Sequence, residues 1–291
     1  MTLTDRPWRS ALYIPGSKER ALEKAKTLPT DAILFDLEDA VAPDEKPNAR
    51  RLLADTLDRG GYGPRALIVR INALDTPWGE ADLAEIARAR PEAILLPKVD
   101  RAADVEVLAK KLDARAETAG TRIWAMMETP LSALNAAEIA AAPRMAGFVL
   151  GTNDLAKDLG ARFRPDRLPL VTALQLCLLA ARAYGLVALD GVYNAFKDQD
   201  GLRAECEQGR DMGFDGKTLI HPDQLAVANA VFAPSEAEIA LARRQIAAFE
   251  EAEAAGQGVA VVDGKIVENL HVATAKAALA KAEAIAKLAA I

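Results

Sequence analysis

Short apolar runs alternate with longer amphipathic segments from residue 11 to residue 221. Eight runs have the length and apolar content of buried strands, and they cover residues 11–16, 32–39, 66–72, 93–99, 122–129, 145–152, 186–193 and 215–221. Between most of them, apolar residues recur at helical spacing, as in DLAEIARAR (82–90) and AADVEVLAKKLDARAE (102–117). This alternation predicts a parallel sheet whose strands are connected by helices.

Eight such strand–helix units are the number that closes a (β/α)8 TIM barrel, which is an α/β fold. The competing arrangement is an open, doubly wound sheet. We expect the barrel, and we assign residues 1–233 to this catalytic domain.

The pattern changes after His221, where the sequence no longer alternates strand with helix. Residues 234–256 predict one long helix, residues 258–267 a hairpin around Asp263-Gly264, and residues 268–290 another helix. We therefore expect residues 234–291 to form a C-terminal extension for lid formation or oligomerisation, which packs over a barrel mouth, its own or a neighbour's.

Composition narrows the functional classes. The chain has 291 residues, of which 51% are hydrophobic and 27% charged, and its formal net charge is -6. These values exclude fibrous and disordered classes and disfavour general binding to nucleic acids or anionic membranes. Cys177 and Cys206 lack metal-ligand spacing, the N-terminus lacks an apolar leader, and the apolar stretch 171–181 is too short to span a bilayer. We expect a cytoplasmic protein.

Charged and polar residues cluster where the predicted strands end. In a barrel these ends share one face, where the chemistry of the fold is found. The residues are Asp36, Glu38, Asp39, Arg70, Asn72, Lys98, Glu128, Asp154 and Asp190.

Glu128 and Asp154 follow neighbouring predicted strands, so their carboxylates can converge on one ion. Two carboxylates without histidine or thiolate suit Mg²⁺. The alternative is that each acid caps the helix that follows it.

Arg70 interrupts an otherwise apolar strand, where an unpaired charge is costly. Asp36 and Glu38 lie two residues apart on one strand face, so they can neutralise and position Arg70. The guanidinium can also bind a carboxylate or carbonyl oxygen of a substrate, and we expect both roles.

The turn PGSKER opens a helix with Lys18 and Arg20 in a chain that is otherwise acidic, which makes a weak candidate for phosphate binding. Other catalytic and nucleotide-binding motifs are missing from the sequence. There is no GxSxG nucleophile elbow and no Walker A pattern, and His221 has no evident nucleophilic partner. A serine-type hydrolase and a P-loop enzyme are therefore disfavoured.

Six collinear strings resemble the citrate lyase beta-subunit-like family of the aldolase/citrate lyase superfamily. They are LYIPGS (12–17), FDLEDAV (35–41), VRIN (69–72), LPKV (96–99), ETP (128–130) and GTNDL (151–155). The resemblance implies a Mg²⁺-dependent barrel enzyme that acts on a CoA thioester and assembles as a homotrimer or as a homohexamer of paired trimers.

The same resemblance implies roles for individual residues. Glu128 and Asp154 would hold Mg²⁺, and Arg70 would polarise the oxygen on the reacting carbon. Backbone amides from Gly151 through Thr152 and Asn153 to Asp154 would bind a small acid's carboxylate. Lys18 and Arg20 would face the CoA phosphates.

One position departs from the family pattern. Where the carbon–carbon lyases of the family carry a catalytic aspartate supplied by a neighbouring subunit, the stretch DGKIVENL has Glu268. The longer side chain could activate water against the thioester carbonyl, since small shifts at a reacting centre change rates strongly.

The whole chain most resembles the malyl-CoA thioesterase branch of the family, so hydrolysis is the first expectation. Reversible carbon–carbon cleavage of malyl-CoA, methylmalyl-CoA or citramalyl-CoA is the second. A non-catalytic subunit that binds CoA esters is the third.

Overall fold

A computed structural model describes residues 6–289 and contains a closed parallel barrel in which each strand pairs with its sequence neighbours. All eight predicted strands are present, and β1 also pairs with β8, so the barrel is confirmed and the open sheet was the wrong alternative. The strands are β1 (Ser10–Pro15), β2 (Ala32–Asp36), β3 (Ala66–Arg70), β4 (Ala93–Leu96), β5 (Arg122–Met127), β6 (Met145–Leu150), β7 (Val187–Asp190) and β8 (Gly216–Leu219).

Helices connect consecutive strands, and further helices come after the last barrel strand in the sequence. Those of the described residues are α1 (Glu19–Ala25), α2 (Lys46–Arg59), α3 (Gly79–Arg88), α4 (Ala102–Asp113), α5 (Pro130–Leu134), α6 (Ala136–Ala140), α7 (Thr152–Asp158), α8 (Leu168–Ala183), α9 (Gln199–Met212), α10 (Leu225–Phe232), α11 (Glu236–Ala254) and α12 (Asn269–Ala289).

Strand register decides which side chains meet at the carboxyl end of the barrel. Asp36 and Arg70 are direct partners across β2 and β3, so their side chains start opposite each other. Between β5 and β6 the register shifts by one residue, because Ile123 pairs with Met145 but Trp124 pairs with Gly147. After this bulge Met127 pairs with Leu150, which brings the following residues, Glu128 and Gly151, level.

Two glycines allow the close approach of β5 and β6. A Cβ at Gly147 would lie 2.6 Å from the buried ring of Trp124, and a Cβ at Gly151 would lie 2.4 Å from the Cβ of Glu128. Neither position has room for a side chain, so glycine is required at both for β6 to lie this close to Trp124 and Glu128.

The chain folds as two compact units, Trp8–Ala230 and a second that contains residues 231–289. In the second unit Ser235 caps α11, and β9 (Ala260–Val262) pairs antiparallel with β10 (Lys265–Val267). Asp263 and Gly264 both have positive φ, which a two-residue hairpin turn of this kind requires. The predicted border at residues 233–234 falls between α10 and α11.

The helical stretch Pro222–Ala254 is, by length and composition alone, long and apolar enough to cross a membrane. It is interrupted at residues 233–235, and α11 carries seven charged residues. These features are typical of surface helices in a globular protein.

Candidate active site

A cavity of about 340 Å³ opens at the carboxyl ends of the strands within the unit Trp8–Ala230. Seven predicted site residues line it: Asp36, Arg70, Glu128, Gly151, Thr152, Asn153 and Asp154. The remaining wall is formed by residues from the ends of β1, β2, β5, β6, β7 and β8, among them Tyr13, Met126, Val192 and Asn194.

Arg70 is held on one side of this cavity by three acids. Its Nε and Nη2 donate to the two carboxylate oxygens of Asp36 at 2.8 and 2.6 Å, and its Nη1 donates to Asp39 at 3.2 Å. Glu38 Oε2 forms an ion pair with Nη1 at 2.7 Å without accepting a hydrogen bond. Asp36 also accepts the backbone N–H groups of Glu38 and Ala40, which fixes the loop after β2. The guanidinium therefore has a rigid orientation.

Burial changes the proton affinity of this cluster. It raises the pKa of Glu38 to about 7, although Arg70 acts in the opposite direction. Glu38 therefore changes its charge near neutral pH.

Glu128 and Asp154 meet on the other side of the cavity, around the side chain of Lys98. The Lys98 Nζ lies 2.8 Å from Asp154 Oδ2 and 3.5 Å from Glu128 Oε1, and the Lys98 backbone N–H donates to Glu128 Oε1 at 2.9 Å. Lys98 has a φ of 53°, a conformation that is uncommon for a residue with a side chain and that aims both groups at the carboxylates.

The two carboxylates differ in proton affinity. Burial raises the pKa of Glu128, with Lys98 opposing this effect. Burial also acts to raise the pKa of Asp154, but the hydrogen bond and the charge of Lys98 hold it below its usual value.

Helix capping does not explain Glu128. Thr129 is the N-cap of α5, and its side chain accepts the N–H of Ser132. Asp154 lies in the first turn of α7, which has Gly151 as its N-cap and no side-chain cap. The capping alternative is therefore wrong for Glu128, whose side chain lines the cavity and accepts the Lys98 N–H instead.

The first turn of α7 also presents backbone donors. The Gly151 N–H is already used, because it donates to the Met127 carbonyl in the sheet. Within the described residues, the amides of Thr152, Asn153 and Asp154 precede the first intrahelical hydrogen bond, which the Leu155 N–H makes to Gly151. These three amides are the ones suited to an anionic group.

The carboxylate pair has the chemistry of a Mg²⁺ site. Two acids from adjacent strands already converge on one ammonium group, and Mg²⁺ is commonly held by one or two carboxylates with water and substrate oxygens completing the shell. Residues 6–289 contain no group of three or more His, Cys, Asp or Glu side chains placed to hold a metal. Glu128 and Asp154 fit the cation because their two carboxylates converge beside the cavity.

Four predicted residues are not among those that line the cavity. Glu38 is one of them, and it acts on the cavity through its contact with Arg70. Lys18 and Arg20 are exposed at the start of α1, and their role in phosphate binding stays a prediction. Glu268 is exposed in the second unit, immediately before α12, where its backbone N–H donates to His271. Its role in catalysis also stays a prediction.

Sequence reasoning noted Asp190 at the end of β7 but missed the charged cluster that it forms with Lys217, near the start of β8. Asp190 accepts from Arg167 Nη1 at 2.7 and 2.8 Å and from the Lys217 Nζ at 3.3 Å, and Lys217 also donates to Glu205 at 2.7 Å. Asp190 and Lys217 are completely buried. The available signal was Lys217 within the predicted strand 215–221.

Tyr13 was missed as well. It lines the cavity, and its hydroxyl contacts the sulfur of Met126 at 3.5 Å. Because a thioether is a weak acceptor, the hydroxyl keeps its capacity to donate to a bound molecule.

Comparison with known proteins gives a consistent set of relatives. The sequence profile described as HpcH/HpaI aldolase/citrate lyase matches residues 9–222. A (3S)-malyl-CoA thioesterase of Cereibacter sphaeroides is 69% identical over 280 residues, which cover 96% of this chain and 96% of the relative. The citrate lyase subunit beta of Escherichia coli K12 is 36% identical over 281 residues, with 94% and 93% covered.

Solved structures agree with these relatives. CitE from Mycobacterium tuberculosis in complex with magnesium, acetoacetate and coenzyme A superposes with a TM-score of 0.79 at 32% identity, covering 96% of this chain and 99% of that one. The citrate lyase beta subunit from the same organism, complexed with oxaloacetate and magnesium, gives a TM-score of 0.70 at 34% identity, with 80% and 100% covered.

Proposed function

This chain belongs to the HpcH/HpaI aldolase/citrate lyase family, and we propose that it hydrolyses the thioester of (3S)-malyl-CoA to malate and CoA with the help of Mg²⁺. The observation that carries the proposal is the identity of 69% to (3S)-malyl-CoA thioesterase over 96% of both chains. The cavity supports it, because one small space combines a rigid guanidinium, free helix amides and a carboxylate pair.

Each group has a task that its contacts explain. Arg70, fixed by Asp36, would orient the oxygen atoms of the malyl group. The amides of Thr152, Asn153 and Asp154 would bind the free carboxylate of the acid. The Tyr13 hydroxyl would donate to a substrate oxygen.

Glu128 and Asp154 would hold Mg²⁺. When bound, the cation supplies positive charge that neutralises substrate oxygens and polarises a carbonyl. The magnesium in the solved structures of CitE and of the citrate lyase beta subunit from Mycobacterium tuberculosis supports the choice of cation.

Glu268 is our candidate for the general base that removes a proton from the attacking water. The proposal includes a homotrimer, or a pair of trimers, in which a neighbouring protomer supplies Glu268, and it assigns the CoA phosphates to Lys18 and Arg20. It also includes a cytoplasmic location, with which the buried free thiols of Cys177 and Cys206 are compatible.

The decisive test is a product assay with purified protein, (3S)-malyl-CoA and Mg²⁺, in which malate, glyoxylate, acetyl-CoA and free CoA are quantified. We expect malate and CoA in equal amounts and no turnover after chelation of the metal. Glyoxylate and acetyl-CoA without malate would overturn the thioesterase proposal.

Reversible carbon–carbon cleavage is the second candidate, and the identity of 36% to citrate lyase subunit beta favours it. The same assay separates the two reactions. A non-catalytic subunit would bind the CoA ester and form neither pair of products.

The role of Glu268 is tested with Glu268→Ala, and Glu253→Ala serves as a matched control, since both acids are exposed in the C-terminal unit. We expect Glu268→Ala to lower kcat about 100-fold with little change in KM, as for loss of a general base. Glu253→Ala should behave as the parent protein. Normal turnover of Glu268→Ala would refute its catalytic role.

A further inference from the structure

Lys98 makes contacts that the proposed hydrolysis does not require. Its ammonium forms an ion pair with Asp154, and it also approaches Glu128. The point between these two carboxylates is where a divalent cation would bind. The ammonium and the metal therefore compete for the same oxygen atoms.

The backbone and the side chain of Lys98 are held differently. The backbone N–H is fixed on Glu128 by a hydrogen bond of 2.9 Å and by the left-handed conformation of the residue. The side chain is 44% exposed, and its contacts at Nζ are with the carboxylate pair. The ammonium group of a long, partly exposed lysine can move into water while its aliphatic carbons remain in place.

We propose that Lys98 is a built-in counter-cation of the carboxylate pair, which stabilises the metal-free protein and is displaced from Asp154 when Mg²⁺ binds. This inference rests on the metal site of the proposed function and makes Lys98 a positioning residue. The backbone N–H keeps Glu128 in place before and after the exchange, and the side chain makes metal binding weaker and reversible.

The charge balance predicts the direction in which loss of the Lys98 ammonium changes stability and metal affinity. Two ionised carboxylates with one ammonium retain a net charge of about -1, while unpaired acids at the same place would repel each other. Loss of the ammonium should therefore destabilise the metal-free protein and strengthen metal binding. A lysine that only supported the metal ligands from outside would have the opposite effect on affinity.

The test measures binding of Mg²⁺ alone by calorimetry in the full-length parent and in Lys98→Met, which keeps an unbranched side chain of similar size but removes the ammonium group and its charge. We expect Lys98→Met to bind Mg²⁺ about tenfold more tightly, which corresponds to about 1.4 kcal/mol. Lys98→Arg should stay close to the parent, because it keeps a cation.

Lys157→Met is the matched control. Lys157 lies one helical turn after Asp154 and affects it only through its charge, without an ion pair. We expect its removal to change the affinity less than twofold. A change as large as that of Lys98→Met would mean that general charge, and not the exchange, controls the site.

Thermal unfolding provides a readout that does not depend on activity. In EDTA, Lys98→Met should unfold at a lower temperature than the parent, and in saturating Mg²⁺ the two should coincide. Equal or weaker Mg²⁺ binding by Lys98→Met would overturn the role of Lys98 while leaving the proposed function intact. If neither parent nor variant binds Mg²⁺, the metal site itself is refuted, whereas binding by the variant alone would support displacement.

Discussion

Two groups of carboxylates at the same end of the barrel are neutralised in different ways. Asp190 is completely buried and contacts two buried cations, Arg167 and Lys217. Glu128 and Asp154 share one ammonium, from a lysine that is nearly half exposed. The first group is closed and balanced, while the second retains negative charge beside a cavity.

The comparison teaches that the position of an acid at a strand end does not decide its role. Arg167 and Lys217 act against the effect of burial and lower the pKa of Asp190, so this acid remains an ionised structural partner. The pair around Lys98 can still accept positive charge from outside. In these two groups, the number of cations that contact the acids distinguishes the structural cluster from the candidate binding site.

The largest effect is expected from a substitution in the open group, which is the pair Glu128 and Asp154 beside the cavity. Glu128→Gln keeps the shape that fits against Gly151 but removes a ligand charge, so we expect kcat/KM for malyl-CoA hydrolysis to fall about 1000-fold or more. Because burial raises the pKa of Glu128, the free energy of unfolding at neutral pH should not decrease. Activity assays and denaturant titrations check both statements, and a large loss of stability would contradict the comparison.

In the closed group around Asp190, we expect a substitution to lower the free energy of unfolding. Lys217→Met leaves Asp190 with one cation and Glu205 with a weaker partner, and breaking a buried ion pair costs about 3–5 kcal/mol. We expect the free energy of unfolding in urea to fall by about that amount. If this variant keeps the stability of the parent, the cluster is not structural.

Arg167→Lys is a second test of the closed group, because lysine keeps the positive charge but lacks the planar guanidinium with its several N–H donors. The Arg167 Nε bonds Gln208, and its buried Nη2 has no acceptor among the described residues. We expect a loss of about 1 kcal/mol, which is the scale of one hydrogen bond and less than the loss for Lys217→Met. A loss as large as that of Lys217→Met would show that geometry matters more than charge balance.

The last prediction concerns the pH dependence of stability. The pKa of Glu38 is raised from 4.5 to about 7, so between these values the folded protein binds more protons than the unfolded chain. The contribution of Glu38 to the free energy of unfolding therefore decreases as pH rises from 4.5 to 7. Glu38→Gln should remove this dependence, measured as the difference between parent and variant in denaturant titrations at several pH values. An unchanged difference across this range would contradict the assignment.

The sequence was sufficient for the parts of the fold that depend on local pattern. The eight apolar runs and the Asp263-Gly264 turn were predicted because strand length, burial and turn chemistry are local properties. The resemblance to the family was also recognisable in six short strings, and the profile match over residues 9–222 confirms it.

Contacts between distant elements could not be predicted in the same way. Lys217 reaches Glu205 from β8 to α9, and Arg167 reaches Asp190 from the start of α8, and neither distance follows from sequence spacing. Lys98 was visible as a polar residue at a strand end, but its contact with both acids depends on its positive φ. The hydroxyl of Tyr13 was hidden within an apolar run.

The bulge in β6 sets the alignment of the reaction centre, although it contains no reactive group. If Trp124 paired with Ala146 instead of Gly147, each later residue of β6 would lie opposite the β5 residue that follows its present partner. Leu150 would then face Glu128, and α7 would begin one position out of phase. One extra residue near the start of β6 thus sets the alignment on which the whole reaction centre depends.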